Sequence, residues 1–127
     1  MSANESIYKQ HEENTQWTNN LSFYKDEVTI LNGRLEEIAS KNSSNEALAG
    51  VEHFQNQLII QRNTIDEILH AVKVNEAELI EVIKANPVAV DHRKMEYHAQ
   101  EQDLVASFEK NFNHLRESFN VFASKWM

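Results

Sequence analysis

Histidine and glutamate side chains lie one helical turn apart at two places that could bind a metal ion, His98-x-x-Glu101 and Glu67-x-x-His70. Residues three apart share one face of a helix, so each pair could present an imidazole and a carboxylate together. A di-iron carboxylate bundle needs Glu-x-x-His on two helices and a glutamate on each of two others. This chain has Glu-x-x-His once, and the surrounding apolar pattern turns Glu67 and His70 towards a flank. We therefore do not expect a ferritin-like site.

A cluster of polar residues interrupts the apolar pattern of the chain and is the second candidate site. Buried polar groups cost free energy unless they have partners, so these residues need an explanation. They could lie at a water-accessible end of a bundle, fix the register of its helices, or lie partly outside it if the first helix begins late. They could also form a pocket for a small ligand or a metal ion, with His98 and Glu101 as ligands. The candidate residues are Gln10, Asn14, Asn75, His98 and Glu101.

Signatures of catalysis are missing from the sequence. The chain has no cysteine and only two glycines, so it lacks a thiolate nucleophile and a glycine-rich phosphate loop. No serine follows a strand as the nucleophile of a hydrolase does, because no strand is expected. Paired carboxylates such as Glu36 and Glu37 fall mainly on outer helix faces. We predict a non-enzymatic protein with no catalytic residue and no cofactor.

The elements that must position these residues are three long helices. Apolar residues recur with alternating steps of four and three, which is a heptad pattern. The pattern predicts helices over about 3–42, 44–85 and 88–126. Three seams carry the pattern: Trp17, Leu21, Tyr24, Val28, Leu31, Leu35 and Ile38; then Val51, Phe54, Leu58, Gln61, Ile65, Ile68 and Val72; and last Val105, Phe108, Phe112, Leu115, Phe119, Phe122 and Trp126.

Local signals mark the helix ends. Ser43 with Glu46 resembles a capping box, and Asp91 is the predicted N-cap of the third helix. Asn86-Pro87 should stop the second helix, since proline disfavours the helical conformation in the residue before it. A break at Asn75 is an alternative to one continuous second helix.

Short connections between nearly equal helices predict an antiparallel up-down-up bundle with coiled-coil-like packing. We expect residues 1–127 to form a single domain, with the order of residues 1–10 left open. This register places Trp17 level with His70 and Val105, and Ile38 level with Trp126. The expected shape, with Trp17 on the first helix, resembles a spectrin-type three-helix repeat in architecture alone, and such a likeness implies no function.

The charge and the surface pattern favour association with proteins. The net charge of −8 opposes nucleic-acid binding, and no helix shows the basic face of a membrane-surface protein. The N-terminal residues lack the apolar core of a signal peptide, and no apolar run could span a membrane, so we expect a cytoplasmic protein. We predict a scaffold, adaptor or regulator that binds a protein partner or a second copy of itself. Apolar residues beside the seams could supply that surface: Ile30, Ile59, Leu69, Ile80, Ile83, Leu104 and Val121.

Overall fold

The computed structural model consists of three long helices packed side by side. It describes residues 3–85 and 92–127, apart from the side chains of residues 3–7, 83 and 92–97. Helix α1 spans Ala3–Lys41, α2 spans Asn45–Ala85 and α3 spans His92–Trp126. This part of the chain contains no strand, so the expected all-α, three-helix architecture is confirmed. Helix α2 continues through Asn75 without a break.

Contacts between the helices confirm their directions. Asn14 bonds to Asn75 while Lys25 pairs with Asp66, so α1 and α2 run antiparallel. On the other side, His98 contacts Glu13 while Arg116 pairs with Glu27, so α1 and α3 run parallel. At the end near the first connection, Asn42 Nδ2 donates to the backbone oxygens of Ile38 and Trp126, each at 2.9 Å. Asn42 therefore ties the carboxyl ends of α1 and α3 together.

Most of the core consists of seam residues that the heptad pattern predicts. The predicted seam residues Tyr24, Leu115, Phe122 and Trp126 are only partly buried, and Ala123, which lies outside the predicted seam, is buried. Phe112 and Phe119 are fully buried, and Phe54 meets Phe119 edge to face at 5.6 Å between ring centroids. Tyr24 meets Phe108 and Phe112 in the same way, at 5.3 and 4.9 Å. The remaining buried apolar residues of the cluster are Trp17, Leu21, Val28, Leu31, Leu35, Ile38, Val51, Leu58, Ile65, Ile68, Val72, Val105 and Ala123.

The start of α2 differs from the prediction by one residue. Ser44 is the N-cap, because its Oγ accepts a hydrogen bond from the backbone N–H of Ala47 at 3.1 Å. Ser43 is not the cap, and Glu46 pairs with Lys125 of α3 at 2.8 Å instead of completing a capping box. Adjacent serines allow either to cap, and the helix begins where the side-chain geometry of Ser44 is satisfied. The predicted cap at Asp91 and the stop at Asn86-Pro87 lie outside the described residues.

Trp17 contacts a residue nearer the N-terminus of α3 than the one predicted to lie at its level. Its ring stacks on His98 with centroids 4.8 Å apart, although the sequence placed it level with Val105. A long side chain on a helix leans towards the helix N-terminus, and α3 runs parallel to α1. Trp17 therefore reaches an earlier residue of α3 than its own backbone height suggests. None of the helices, within the residues described, has an apolar stretch long enough to span a membrane.

Candidate functional site

The five predicted polar residues are all buried between the helices, and together they are called the polar layer. Gln10 and Asn14 come from α1, Asn75 from α2, and His98 and Glu101 from α3. Each occupies a seam position, so the same packing that buries the apolar residues also removes these side chains from water. The structure thus gathers the residues that the sequence singled out at the end of the bundle away from the first connection.

Amide side chains connect α1 to α2 within the polar layer. Asn14 Nδ2 donates to Asn75 Oδ1 at 3.0 Å and to Glu76 Oε2 at 2.9 Å. The other carboxylate oxygen of Glu76 contacts His11 Nδ1, so Glu76 is turned towards α1. Because amide donors and acceptors must align, these bonds fix the register of the two helices. Asn14 Oδ1 and Asn75 Nδ2 remain buried without a hydrogen-bond partner in the described structure.

His98 connects α3 to α1. Its Nε2 lies 2.9 Å from Glu13 Oε2, and its ring stacks on Trp17 with 29° between the planes. Its Nδ1 is buried without a hydrogen-bond partner among the described residues. A carboxylate on one side and an indole on the other therefore fix the orientation of the imidazole.

Glu101 is the most unusual member of the polar layer. Its side chain is 1% exposed, and neither carboxyl oxygen has a hydrogen-bond partner in the described part of the chain. Burial, with a smaller contribution from the negative charge of Glu78, raises the pKa of Glu101 from 4.5 to about 7. The carboxyl group is therefore protonated to a large extent near neutral pH.

The described residues do not bring together a metal-binding set. No group of three or more His, Cys, Asp or Glu side chains among them could hold an ion. Glu67 and His70, the pair with the Glu-x-x-His spacing, are both exposed on α2 as the apolar phase predicted. Of the two helical pairs, only His98 and Glu101 therefore lie inside the bundle.

An open groove runs between α1 and α2 on the side away from α3, and it is called the α1/α2 groove. It encloses about 600 Å³, and its walls are mainly apolar. Thr15 and Thr18 donate their hydroxyls to the backbone oxygens of His11 and Asn14, at 3.1 and 2.9 Å, so these groups need no further partner. The α1 wall is low because it is built from Thr15, Thr18 and Ser22, and the α2 wall contains Leu69, Val72 and Ile80.

The groove touches the polar layer at one end only. Asn14 lines its floor, and His11 and Glu76 stand beside Asn14. The heptad pattern does not predict a groove here, although it places Leu69 and Ile80 beside the seam as apolar residues. The sequence does contain a signal for the groove, which is the row of small hydroxyl residues on α1. Because these side chains are small, they leave Leu69 and Ile80 uncovered.

Most of the flanking apolar residues are exposed. Leu69 is half-buried, whereas the side chain of Ile83 lies outside the described residues. Phe23 and Ile60 are further exposed apolar residues outside the predicted flanking set. The exposed members of the predicted set are Ile30, Ile59, Ile80, Leu104 and Val121.

Comparison of the chain with models of protein families, with curated proteins and with solved structures finds no match in any of the three.

Proposed function

We propose that this protein acts through protein–protein association, as a scaffold, adaptor or regulator, by binding a helix in the α1/α2 groove. The observation that carries the proposal is the groove itself, an uncovered apolar surface between two helices of a bundle. Apolar surface left in water costs about 25 cal/mol per Å², and a helix laid into the groove would remove that cost.

The dimensions of the groove suit a helix. Its α1 wall runs from His11 to Ser22, which is roughly 17 Å along the axis at ~1.5 Å per residue, or about three turns. Packed helices lie ~8–10 Å apart, and the small side chains of Thr15, Thr18 and Ser22 allow such an approach to α1. A fourth helix in this position would complete a four-helix arrangement from three helices.

A photo-crosslinking experiment tests this function. A benzophenone amino acid replaces Ile80, which lines the groove, or Val121, which is exposed on α3. We expect protein adducts in an extract of the native cells from position 80 and not from position 121.

Filling the groove supplies the control for that experiment. Thr18 is exposed and lines the groove, so Thr18→Lys should leave the helical dichroism unchanged while occupying the site. Loss of the adducts in that variant would support the proposal. Adducts that persist in Thr18→Lys, or that form only from position 121, would contradict it.

A second candidate function, binding of a small ligand or metal ion, is favoured by atoms of the polar layer that have no hydrogen-bond partner among the described residues. A metal ion would need further ligands beside His98 and Glu101, because the described residues provide no complete set. Glu101 presents two such oxygens and His98 one such nitrogen. Elemental analysis of the purified protein, with thermal melts in the presence of iron, manganese, zinc and a chelator, tests the metal version. A retained metal or a raised melting temperature would support it, and the absence of both would exclude it.

A further inference from the structure

Helix α2 carries a second row of positions with the same alternating steps of four and three, and it is called the outer seam. It lies beside the core seam, on the side of the α1/α2 groove. Four of its positions are apolar: Leu48, Ile59, Leu69 and Ile80. Leu48, Ile59 and Ile80 are exposed and Leu69 is half-buried, so a single copy of the chain leaves much of this apolar row in contact with water. The six other positions of the row are Glu52, Gln55, Arg62, Asp66, Lys73 and Glu76.

The outer seam is symmetric about position 64. Leu48 and Ile80 lie equally far from that position, and so do Ile59 and Leu69. A twofold dimer requires a self-complementary surface, in which residue i of one copy meets residue j of the other and j meets i. Two antiparallel α2 helices crossing at position 64 meet that requirement, because each apolar residue then faces an apolar residue.

The charges at the centre of the outer seam are complementary in the same pairing. Arg62 of one copy faces Asp66 of the other, and the symmetry produces this pair twice. Arg62 has no ion pair within the described residues of its own chain, whereas Asp66 pairs with Lys25 at 2.8 Å. A second cation beside Asp66 would therefore find a partly exposed carboxylate already oriented by α1.

Between the apolar positions Leu48 and Ile59, the pairing produces one polar pair and one like-charge pair. Gln55 faces Lys73 of the other copy, where an amide oxygen can accept from an ammonium group. Glu52 faces Glu76, which is unfavourable. The carboxylate of Glu76 is turned towards His11 and Asn14 of its own chain, and this orientation reduces the repulsion.

The same pairing also fills the α1/α2 groove. With α2 antiparallel to its copy, Leu48 and Ile59 of one chain lie against the part of the other chain that contains Ile80 and Leu69. One arrangement then accounts for both the exposed side chains and the open groove. The seam from position 48 to 80 is roughly 48 Å long. Two helices side by side are about 20 Å wide, so the face can supply the ~800 Å² per copy of a stable dimer.

We propose that the occupant of the α1/α2 groove is a second copy of this chain, bound as an antiparallel twofold dimer through the outer seam of α2. This inference rests on the proposed function, since it names the partner of the same groove. It identifies Leu48, Ile59, Leu69 and Ile80 as the apolar contacts and Arg62 with Asp66 as the pair that sets the register.

Sedimentation velocity of the full chain over a range of concentrations tests the dimer. Ile59 and Ile60 are adjacent isoleucines with 57% and 53% exposure, but only Ile59 belongs to the outer seam. We expect a concentration-dependent dimer, weakened roughly tenfold or more by Ile59→Glu, which places a charge in an apolar layer. Ile60→Glu is the matched control and should change the dissociation constant by less than about twofold. A chain that stays monomeric up to near-millimolar concentration, or equal effects of the two substitutions, would overturn the proposal.

A charge exchange tests the central pair. Arg62→Glu places two like charges against each other and should weaken the dimer, while Arg62→Glu with Asp66→Arg restores opposite charges and should recover part of the affinity. The double variant loses the pair with Lys25, so a melting curve checks that it remains folded. A folded double variant no tighter than Arg62→Glu alone would contradict this register.

Disulfide trapping tests the orientation, and the absence of cysteine from the chain makes the result direct. Leu48→Cys and Ile80→Cys proteins are mixed and mildly oxidised. The antiparallel pairing predicts a disulfide between the two different variants, whereas a parallel pairing predicts a link between two Leu48→Cys chains and would overturn it. If the purified chain is monomeric but position 80 still crosslinks to another protein, the second copy is excluded and the proposed function stands.

Discussion

Among the described residues, Glu101 is a titratable side chain in an environment that strongly disfavours its charged form. A carboxyl group with no hydrogen-bond partner is stable in a bundle only when it is neutral, because an isolated charge in an apolar surrounding is costly. Its raised pKa of about 7 follows from this burial and from the nearby charge of Glu78. The folded state therefore holds a proton that the unfolded chain releases at a lower pH.

Stability should consequently fall as the pH rises through the range set by Glu101. The carboxyl group of Glu101 titrates near 4.5 in the unfolded chain and near 7 in the folded one. The destabilisation of the fold by Glu101 is therefore absent below the first pH and reaches its full size above the second. The difference corresponds to about 3 kcal/mol as an upper bound. Chemical denaturation of the wild type and of Glu101→Gln at several pH values measures it. Subtracting the two curves removes the effect of the other titrating groups, and equal pH dependence of the two proteins would show that Glu101 is not buried as a neutral acid.

Replacing Glu101 by leucine tests whether the polar layer has a binding role. If the residue serves only register, an apolar side chain of similar size should raise stability above pH 7, since it removes the desolvation cost. The free energy of unfolding of Glu101→Leu measures this change. A loss of stability would instead indicate that the carboxyl group belongs to a structured polar site.

At the scale of the helices, close packing decides where a glycine is required. Gly50 of α2 lies against Phe122 of α3, and a β-carbon at this position would overlap the aromatic ring. A β-carbon added at Gly33 of α1 would meet no neighbouring side chain or helix within 4 Å. The two glycines of the chain thus have different roles although both lie within helices.

Alanine substitutions at the two glycines should therefore have opposite effects. Gly33→Ala should stabilise the protein by about 0.5–1 kcal/mol, because alanine favours the helix and meets nothing. Gly50→Ala gains the same helix propensity but must displace the ring of Phe122, so we expect a net loss of about 1–3 kcal/mol. Denaturant midpoints compare the two variants, and stabilisation by both would mean that α2 and α3 are further apart at this level.

The phase of α3 is tested by its central aromatic residue. Phe112 is fully buried and contacts Tyr24, Phe108 and the guanidinium of Arg116. Phe112→Ala should cost about 3–5 kcal/mol of unfolding free energy. The exposed Val121→Ala is the control and should lie within about 0.5 kcal/mol of the wild type. A cost below about 1 kcal/mol at Phe112 would place this face of α3 outside the core.

Over the whole molecule, the two ends of the bundle differ in what holds them together. Near the first connection, Phe54, Phe119 and Phe122 pack against the apolar residues of α1. At the other end, the polar layer replaces apolar contacts with buried polar groups, several of which have no hydrogen-bond partner in the part of the chain that the structure describes. Burial of apolar surface gives the larger stabilisation, so the aromatic end should be the more stable one.

Hydrogen exchange should show this difference along every helix. We expect amides of residues 28–38, 51–58 and 112–122 to be at least roughly tenfold better protected than amides of residues 10–17, 72–79 and 101–105. Each helix contributes to both groups, so the comparison controls for helix propensity. Uniform protection along all three helices would show that the polar layer is as stabilising as the aromatic end.

The sequence by itself determined the number, length and direction of the helices. The heptad seams extend along all three helices, with polar residues at some of their positions, and Leu31, Ile65 and Phe119 are buried as that pattern requires. The seam positions of Gln10, Asn14, Asn75, His98 and Glu101 followed from the same pattern, because the sequence sets the helix face that each residue occupies. The structure then decided that they lie inside the bundle rather than partly outside it, since all five residues are buried.

Only the tertiary structure decided which groups meet and which surface stays open. Trp17 stacks on His98 because its side chain leans towards the N-terminus of α1. Asn14 donates to Asn75 and Glu76 because the axial register of α1 and α2 places these residues opposite it. The groove exists because small residues on α1 face larger apolar ones on α2, a relation between two helices that neither segment contains alone. The pattern along one helix fixes its inner face, but the distance and register between helices depend on how all three seams pack together.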